Sequence, residues 1–448
     1  MINATELTLL RDALARLAEG YSDLPEFQTE FDVAAAASIL QDVAVRMHDN
    51  YPYYHPLYAG QMLKPPHPIA RIAYAMSLWV NPNNHALDGG RASSAMEKEC
   101  VHELGQMFGW NGPLGHLTGG GTMANLEALW VAGRLHPGKR IVASTQAHYT
   151  HSRITDVLGL PFSPVPVTGD GRMDIAALES LLKTGNVGTV VVTMGNTGLG
   201  AVDPLPAIIA LQSKYDFRVH ADAAYGGYFV LAEQLHEDTR AAYDNLVNVD
   251  SIVIDPHKHG LQPYGCGCVL FRNPSVGQLY KHESPFTYFS SAELHLGEIS
   301  LECSRPGASA VALWATQQLL PLARNGQFAA MLDDCLRAAR GFWTRLANSD
   351  FFSPLMQPEL DIVAYAVNAP DTATASERAR QLFAKAADHD LHLAMMELPV
   401  DLVRDYAPEI RTNSETITCL RSVLMKPEHC DWLDRIVDIL ETSAAEIS

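Results

Sequence analysis

Apolar positions along the 448-residue chain fall into three regimes. In residues 6–20 and 31–48 they recur every three or four positions, which predicts two amphipathic helices. From about residue 60 to 325 the pattern changes. Short β-branched runs alternate with helical stretches: residues 140–143, 189–193, 217–220, 251–254 and 268–271. Such runs suit strands buried on both faces, and their alternation with helices predicts a mostly parallel sheet covered on both sides. The apolar helix around Ala310 to Thr316 closes this stretch. Beyond residue 326 a long amphipathic helix over residues 328–346 precedes strands at 360–367 and 417–424, which predicts a smaller α/β unit. Residues 370–376, between two such elements, read as a loop. The division expected is an N-terminal helical segment (1–59), a large domain (60–325) and a small C-terminal α/β domain (326–448). No internal repeat interrupts it.

Composition narrows the class. Hydrophobic residues make up 47% and charged residues 19%, as in globular proteins. A net charge of −19 opposes binding to nucleic acid and to anionic membranes. Apolar stretches are core-length and interrupted, so no membrane span is expected. The start, Met1 to Leu7, is neither basic nor strongly apolar, and a cytoplasmic location is the expectation. The seven cysteines are scattered and suggest no disulfide framework. Cys266-Gly267-Cys268 has the look of a metal pair, but no second pair follows. It reads as a buried strand, and no metal site is expected.

Four constellations carry chemistry. Asp255-Pro256-His257-Lys258-His259-Gly260 follows the strand at 251–254. Ligands bind at such strand ends, and an amine there can form a Schiff base with a carbonyl cofactor such as pyridoxal phosphate. Leu117-Thr118-Gly119-Gly120-Gly121-Thr122 runs into a good helix former from Met123 onward, an arrangement suited to a phosphate. Val219-His220-Ala221-Asp222-Ala223-Ala224 places a carboxylate after a strand, where it can pair with a protonated pyridine nitrogen; Ala224 leaves room for a flat ring. Ser144 to Ser152 contains His148, an imidazole that can stack on such a ring. Singly, each has an ordinary structural explanation: a turn, a capping Asp, one of 18 histidines, a surface lysine.

Taken in order, these motifs resemble those of the group II pyridoxal-phosphate-dependent amino-acid decarboxylases, the aromatic-amino-acid, glutamate and tyrosine decarboxylase family. The resemblance extends through Asn196 to Pro204, Cys303-Ser304-Arg305-Pro306-Gly307 and Arg421 to Pro427. It implies a fold-type I transferase fold: a mostly parallel, seven-stranded-type sheet with a smaller C-terminal domain. It implies Lys258 as the Schiff-base lysine, Asp222 as the pyridine-nitrogen partner, Ala224 packed on the ring and His148 stacked on it. Gly120, Gly121 and Thr122 match the phosphate loop, His257 a side chain near the phosphate, and Thr197 a threonine near the 3-hydroxyl. Tyr288, in the Glu283 to Ser291 segment, matches the loop tyrosine that protonates Cα. Arg305 matches a structural ion pair.

The implied reaction is loss of the α-carboxylate of an L-amino acid as CO2, leaving the amine, in a homodimer with active sites at the subunit interface. Alternatives on the same scaffold are a carbon–carbon lyase, since Ser304-Arg305-Pro306-Gly307 is also similar to sphingosine-phosphate lyases, and a decarboxylation-dependent aldehyde synthase. A non-catalytic cofactor-binding protein is a third class. Departures from the family pattern are His259 for Trp, Asn196 for Thr, Gly120 and Gly121 where serine is frequent, and Cys303 for Gly. The aromatic run Tyr51 to His55 and the stretch from Trp79 to Asn84 are expected in the pocket wall. Substrate identity is not readable.

Overall fold

The computed structural model describes residues 3–25, 27, 29–85, 88–281 and 300–447. Two helices, α1 (Ala4–Glu19) and α2 (Val33–Met47), come first, where the heptad-like spacing predicts them. Helices α3 (Pro68–Ser77) and α4 (Arg91–Met107) lead into strand β1 (Leu114–Thr118). Alternation then begins: α5 (Gly121–Leu135), β2 (Arg140–Ser144), α6 (Thr150–Val157), β3 (Phe162–Val165), α7 (Ile175–Leu182) and β4 (Val187–Thr193). It continues through α8 (Leu205–Leu211), β5 (Arg218–Asp222), α9 (Glu237–Asp244), β6 (Ser251–Ile254) and β7 (Gly267–Phe271).

These seven strands form one sheet in the order β1-β7-β6-β5-β4-β2-β3. Strands β2 to β6 pair in parallel, and β7 runs antiparallel to both β6 and β1. Every residue of β4 and β6 is buried. Helices cover both faces of such a sheet, so its strands read as unbroken apolar runs rather than alternating ones. Each buried valine of β4 contributes ~1.5–3 kcal/mol relative to exposure. The sheet is therefore a rigid platform, and the loops at its ends can carry polar groups.

After α10 (Gly307–Leu319) and α11 (Gln327–Ala347) comes a second, four-stranded sheet in the order β10-β11-β9-β8. Its strands are β8 (Phe352–Pro354), β9 (Ile362–Val367), β10 (Ala394–Pro399) and β11 (Thr416–Val423), all antiparallel. Helices α12 (Thr372–Ala387) and α13 (His429–Glu446) pack on it. The expected α/β character holds, and the sheet direction is new information.

One expectation fails here. Residues 370–376 are not a loop throughout, because α12 starts at Thr372. Asp371 Oδ1 accepts the Thr374 amide at 3.0 Å and caps the helix. By contrast, Cys268 lies in β7 and Cys266 directly precedes it, and both are buried, as a strand reading requires. No described helix is long and apolar enough to cross a membrane.

Candidate active site

A cavity of about 560 Å3 opens where β1, β4, β5 and β6 end. Such volumes suit small molecules and cofactors. Its lining includes Gly120, Gly121, Thr122, His148, Thr197, Asp222, Ala224, His257 and Lys258. The structure thus brings together every site residue the sequence suggested except Tyr288, which lies outside the described residues.

Local geometry explains each placement. At the end of β1 the chain turns through Gly120, whose φ of 151° disfavours any side chain. Helix α5 follows with no side-chain cap, so the amides of its first turn face outward without a capping partner. A Cβ at Gly121 would lie 2.8 Å from Asp255 Oδ2, so glycine lets that carboxylate approach the helix start. The Gly119 amide donates to Glu302 Oε2 at 3.0 Å.

Lys258 sits in the turn after β6, closed by its own amide donating to the Asp255 carbonyl at 2.9 Å. Its Nζ lies 3.1 Å from Asp255 Oδ2. Asp255 Oδ1 is buried without a hydrogen-bond partner among the described residues. His257 Nδ1 contacts the Cys266 carbonyl at 2.8 Å, and its Nε2 lies 3.6 Å from Asp255 Oδ2.

Asp222 is the last residue of β5. Burial pushes its pKa up, but the hydrogen bond and charge of His151, with the charge of Lys258, outweigh burial and hold it well below the usual carboxylate range. The His151 Nε2–Asp222 Oδ2 distance is 2.8 Å, and Oδ1 accepts the Ala224 amide at 3.2 Å. His148 follows β2, with Nδ1 2.7 Å from Thr150 Oγ1. Burial and the Lys258 charge lower its pKa, against the pull of Asp222.

Sequence reasoning missed several contributors. Asp255 and His151 each lie three positions from a residue it did select, within the same motifs, which was the available signal. Glu302 and Thr193 line the cavity without any local signal. Conversely, the aromatic run at 51–55 is absent from the cavity lining among the described residues. Tyr51 packs on His392 and Tyr58 instead, at ring separations of 4.5 and 6.3 Å. Trp79 is exposed, and Asn83 and Asn84 bind the Arg305 backbone and side chain. Arg305 itself pairs with buried Glu97 at 2.6 Å. The departing residues have structural roles: His259 Nε2 lies 3.1 Å from Asp361 Oδ2, and Asn196 ties its own turn through the Leu199 amide.

A primary amine, a buried ionised carboxylate and an uncapped helix N-terminus around one cavity fit pyridoxal phosphate, which presents a carbonyl, a basic ring nitrogen and a phosphate. Residues 129–368 match the pyridoxal-dependent decarboxylase conserved domain. A probable L-tyrosine/L-aspartate decarboxylase of Methanothermobacter thermautotrophicus is 29% identical over 309 residues, 68% of this chain and 82% of that one. An L-tyrosine decarboxylase of Levilactobacillus brevis is 26% identical over 405 residues, 66% of this chain and 64% of that one. The Oryza sativa TDC, solved with PLP and tryptamine, superposes with a TM-score of 0.80 at 16% identity, covering 100% of this chain and 99% of that one. The match to more than half of its length places this chain in the pyridoxal-dependent decarboxylase family. It is a carboxy-lyase, and its cofactor is pyridoxal 5′-phosphate.

Proposed function

We propose that this enzyme removes the α-carboxylate of an L-amino acid, releasing CO2 and the corresponding amine. The observation that carries this reading is the gathering of Lys258, Asp222, His148 and the glycine loop around one cavity. When bound, pyridoxal phosphate would supply an electron-accepting ring for the pair left by the departing carboxylate.

The protein's own groups do the rest. The Lys258 amine would hold the cofactor at its carbonyl carbon until a substrate amine replaces it. Asp255, 3.1 Å from Lys258 Nζ, orients that amine and balances its charge. Asp222, held below the usual carboxylate range, would keep a proton at the ring nitrogen. The first-turn amides of α5, from Gly121 and Thr122, would bind the phosphate, with His257 beside them. His148 and Ala224, which line the cavity, would pack against the ring, and Thr197 would contribute near the 3-hydroxyl. Tyr288 delivers the proton to Cα.

The substrates named for the relatives, tyrosine and aspartate, are the first candidates. We read the enzyme as a cytoplasmic homodimer divided at about residues 59 and 325. Neither α1 nor α2 buries a single residue, and Ile39, Leu40, Val43 and Met47 stand exposed along α2, as a face that a second copy covers would.

Carboxyl-labelled L-amino acids supplied to the holoenzyme test this reading, with products identified by mass. Labelled CO2 and an amine from at least one of them, both lost in Lys258→Ala, are expected. Tyr288→Phe should keep bound cofactor but lose most amine, or give aldehyde in its place. An intact, cofactor-loaded protein that releases no CO2 from any of the standard L-amino acids contradicts the reading.

A further inference from the structure

Asp222 does not stand alone beneath the cavity. His151, on the first turn of α6, reaches it across the sheet with Nε2 2.8 Å from Oδ2, and the histidine is 1% exposed. Its other ring nitrogen, Nδ1, is buried without a hydrogen-bond partner among the described residues. That asymmetry defines the pair. One ring proton, on Nε2, is satisfied by the carboxylate. The pair therefore sets the Asp222 carboxylate against a buried imidazole N–H.

The surroundings preserve this state. His220, on β5, is held by Ser251 and Asn125 at 2.8 Å each, and burial pushes its pKa down to about 3, so it adds no charge. On the cavity side the charged and titratable neighbours are Lys258, Asp255 and His148. The His151 backbone carbonyl accepts the Thr155 hydroxyl at 2.9 Å, which ties the residue into α6. With the Ala224 amide on Oδ1, Asp222 has a donor fixed on each oxygen, and its orientation is set by groups other than the ligand.

We propose that His151 is a positioning residue that holds Asp222 in place and ionised against the cofactor's ring nitrogen. This rests on the reading of Asp222 given above. It assigns a role to a histidine three residues past the one expected to stack on the ring.

The test compares His151→Phe, which keeps a ring but no N–H, with His151→Gln, which restores a donor. Three quantities are read in each: cofactor affinity, the visible absorption of bound cofactor against pH, and kcat with KM. With ring-15N-labelled cofactor, the nitrogen shift reports its protonation directly. His151→Phe should weaken cofactor binding roughly tenfold to a hundredfold, the range for losing a hydrogen bond to a charged group. Its kcat should fall while KM changes little, and its ring nitrogen should lose its proton at a lower pH than in the parent. His151→Gln should recover most of each. If His151→Phe fails to fold, His151→Met takes its place beside His151→Gln. A folded His151→Phe or His151→Met indistinguishable from the parent in affinity, ring-nitrogen titration and kcat overturns the proposal. So does a folded His151→Gln as impaired as its donor-less counterpart. Asp222→Ala, run in parallel, separates the two levels. If it cripples cofactor binding while His151 variants do not, only the role of His151 fails; if it too is harmless, the reading of the cavity fails.

Discussion

At the scale of single residues, the site depends on close approaches that leave no room for a methyl group. Gly121 is the sharpest case, since its Cβ would stand 2.8 Å from Asp255 Oδ2 and 3.0 Å from Oδ1. The carboxylate that would have to move is the one 3.1 Å from Lys258 Nζ. Gly121→Ala should therefore leave the fold intact, because alanine favours the helix by ~1 kcal/mol over glycine. It should nevertheless weaken cofactor binding by about tenfold, the cost of disturbing one charge-assisted contact. Equilibrium titration of the apoenzyme with pyridoxal phosphate measures this; unchanged affinity would mean that Asp255 does not need its present position. The residues proposed to carry the chemistry are legible in the chain, because Lys258, Asp222 and His148 each follow a recognisable β-branched run. Their partners were less so. Nothing local links His151 to Asp222, 71 positions away, and only the tertiary fold brings the start of α6 within hydrogen-bonding reach of the end of β5.

At the scale of elements, legibility follows burial. Strands β4, β6 and β7 announce themselves because each is buried along its whole length and is mostly apolar. Direction is another matter: an unbroken apolar run reads the same in either sense. The antiparallel β7, and its pairing with β1 some 150 positions earlier, therefore had no signature in the pattern. The start of α12 was hidden for a different reason. Thr372, Thr374 and Ser376 have the composition of a loop, and a cap at Asp371 turns them into a first helical turn.

Elements also meet through a buried amine. Lys426, just beyond β11, donates to the Tyr58 carbonyl at 2.6 Å and lies 5.3 Å from that ring. Burial, reinforced by the charge of Lys64, lowers its pKa from 10.5 to about 7. Because the folded value lies below the unfolded one, the lysine's contribution to stability is complete above about pH 10.5 and is lost as pH falls towards 7. Lys426→Met removes the titrating group. The stability of the parent relative to this variant should rise between pH 7 and pH 10.5 by on the order of 3–5 kcal/mol. Thermal melts of both proteins across that range check this, and a difference independent of pH would show that Lys426 stays charged in the fold.

At the scale of the whole molecule, the two sheets meet near the cavity. Arg421 of β11 donates to the Thr197 carbonyl and to Gln61 Oε1 at 2.6 and 2.7 Å, so the C-terminal sheet reaches a residue of the cavity wall. Asp361, just before β9, accepts the hydroxyl of Tyr225, which also lines the cavity. The cavity thus owes its shape to both parts of the chain, and its chemistry to strand ends of the large sheet. That division of labour makes the central claim a statement about one atom: the cofactor is held by Lys258 Nζ. Borohydride reduction of the holoenzyme, followed by proteolysis and mass mapping, tests this most directly. The account predicts a reduced pyridoxyl group on the peptide containing Lys258, and on no peptide in the Lys258→Ala protein. A reduced group fixed on another lysine, or bound cofactor that reduction leaves unattached, would contradict it.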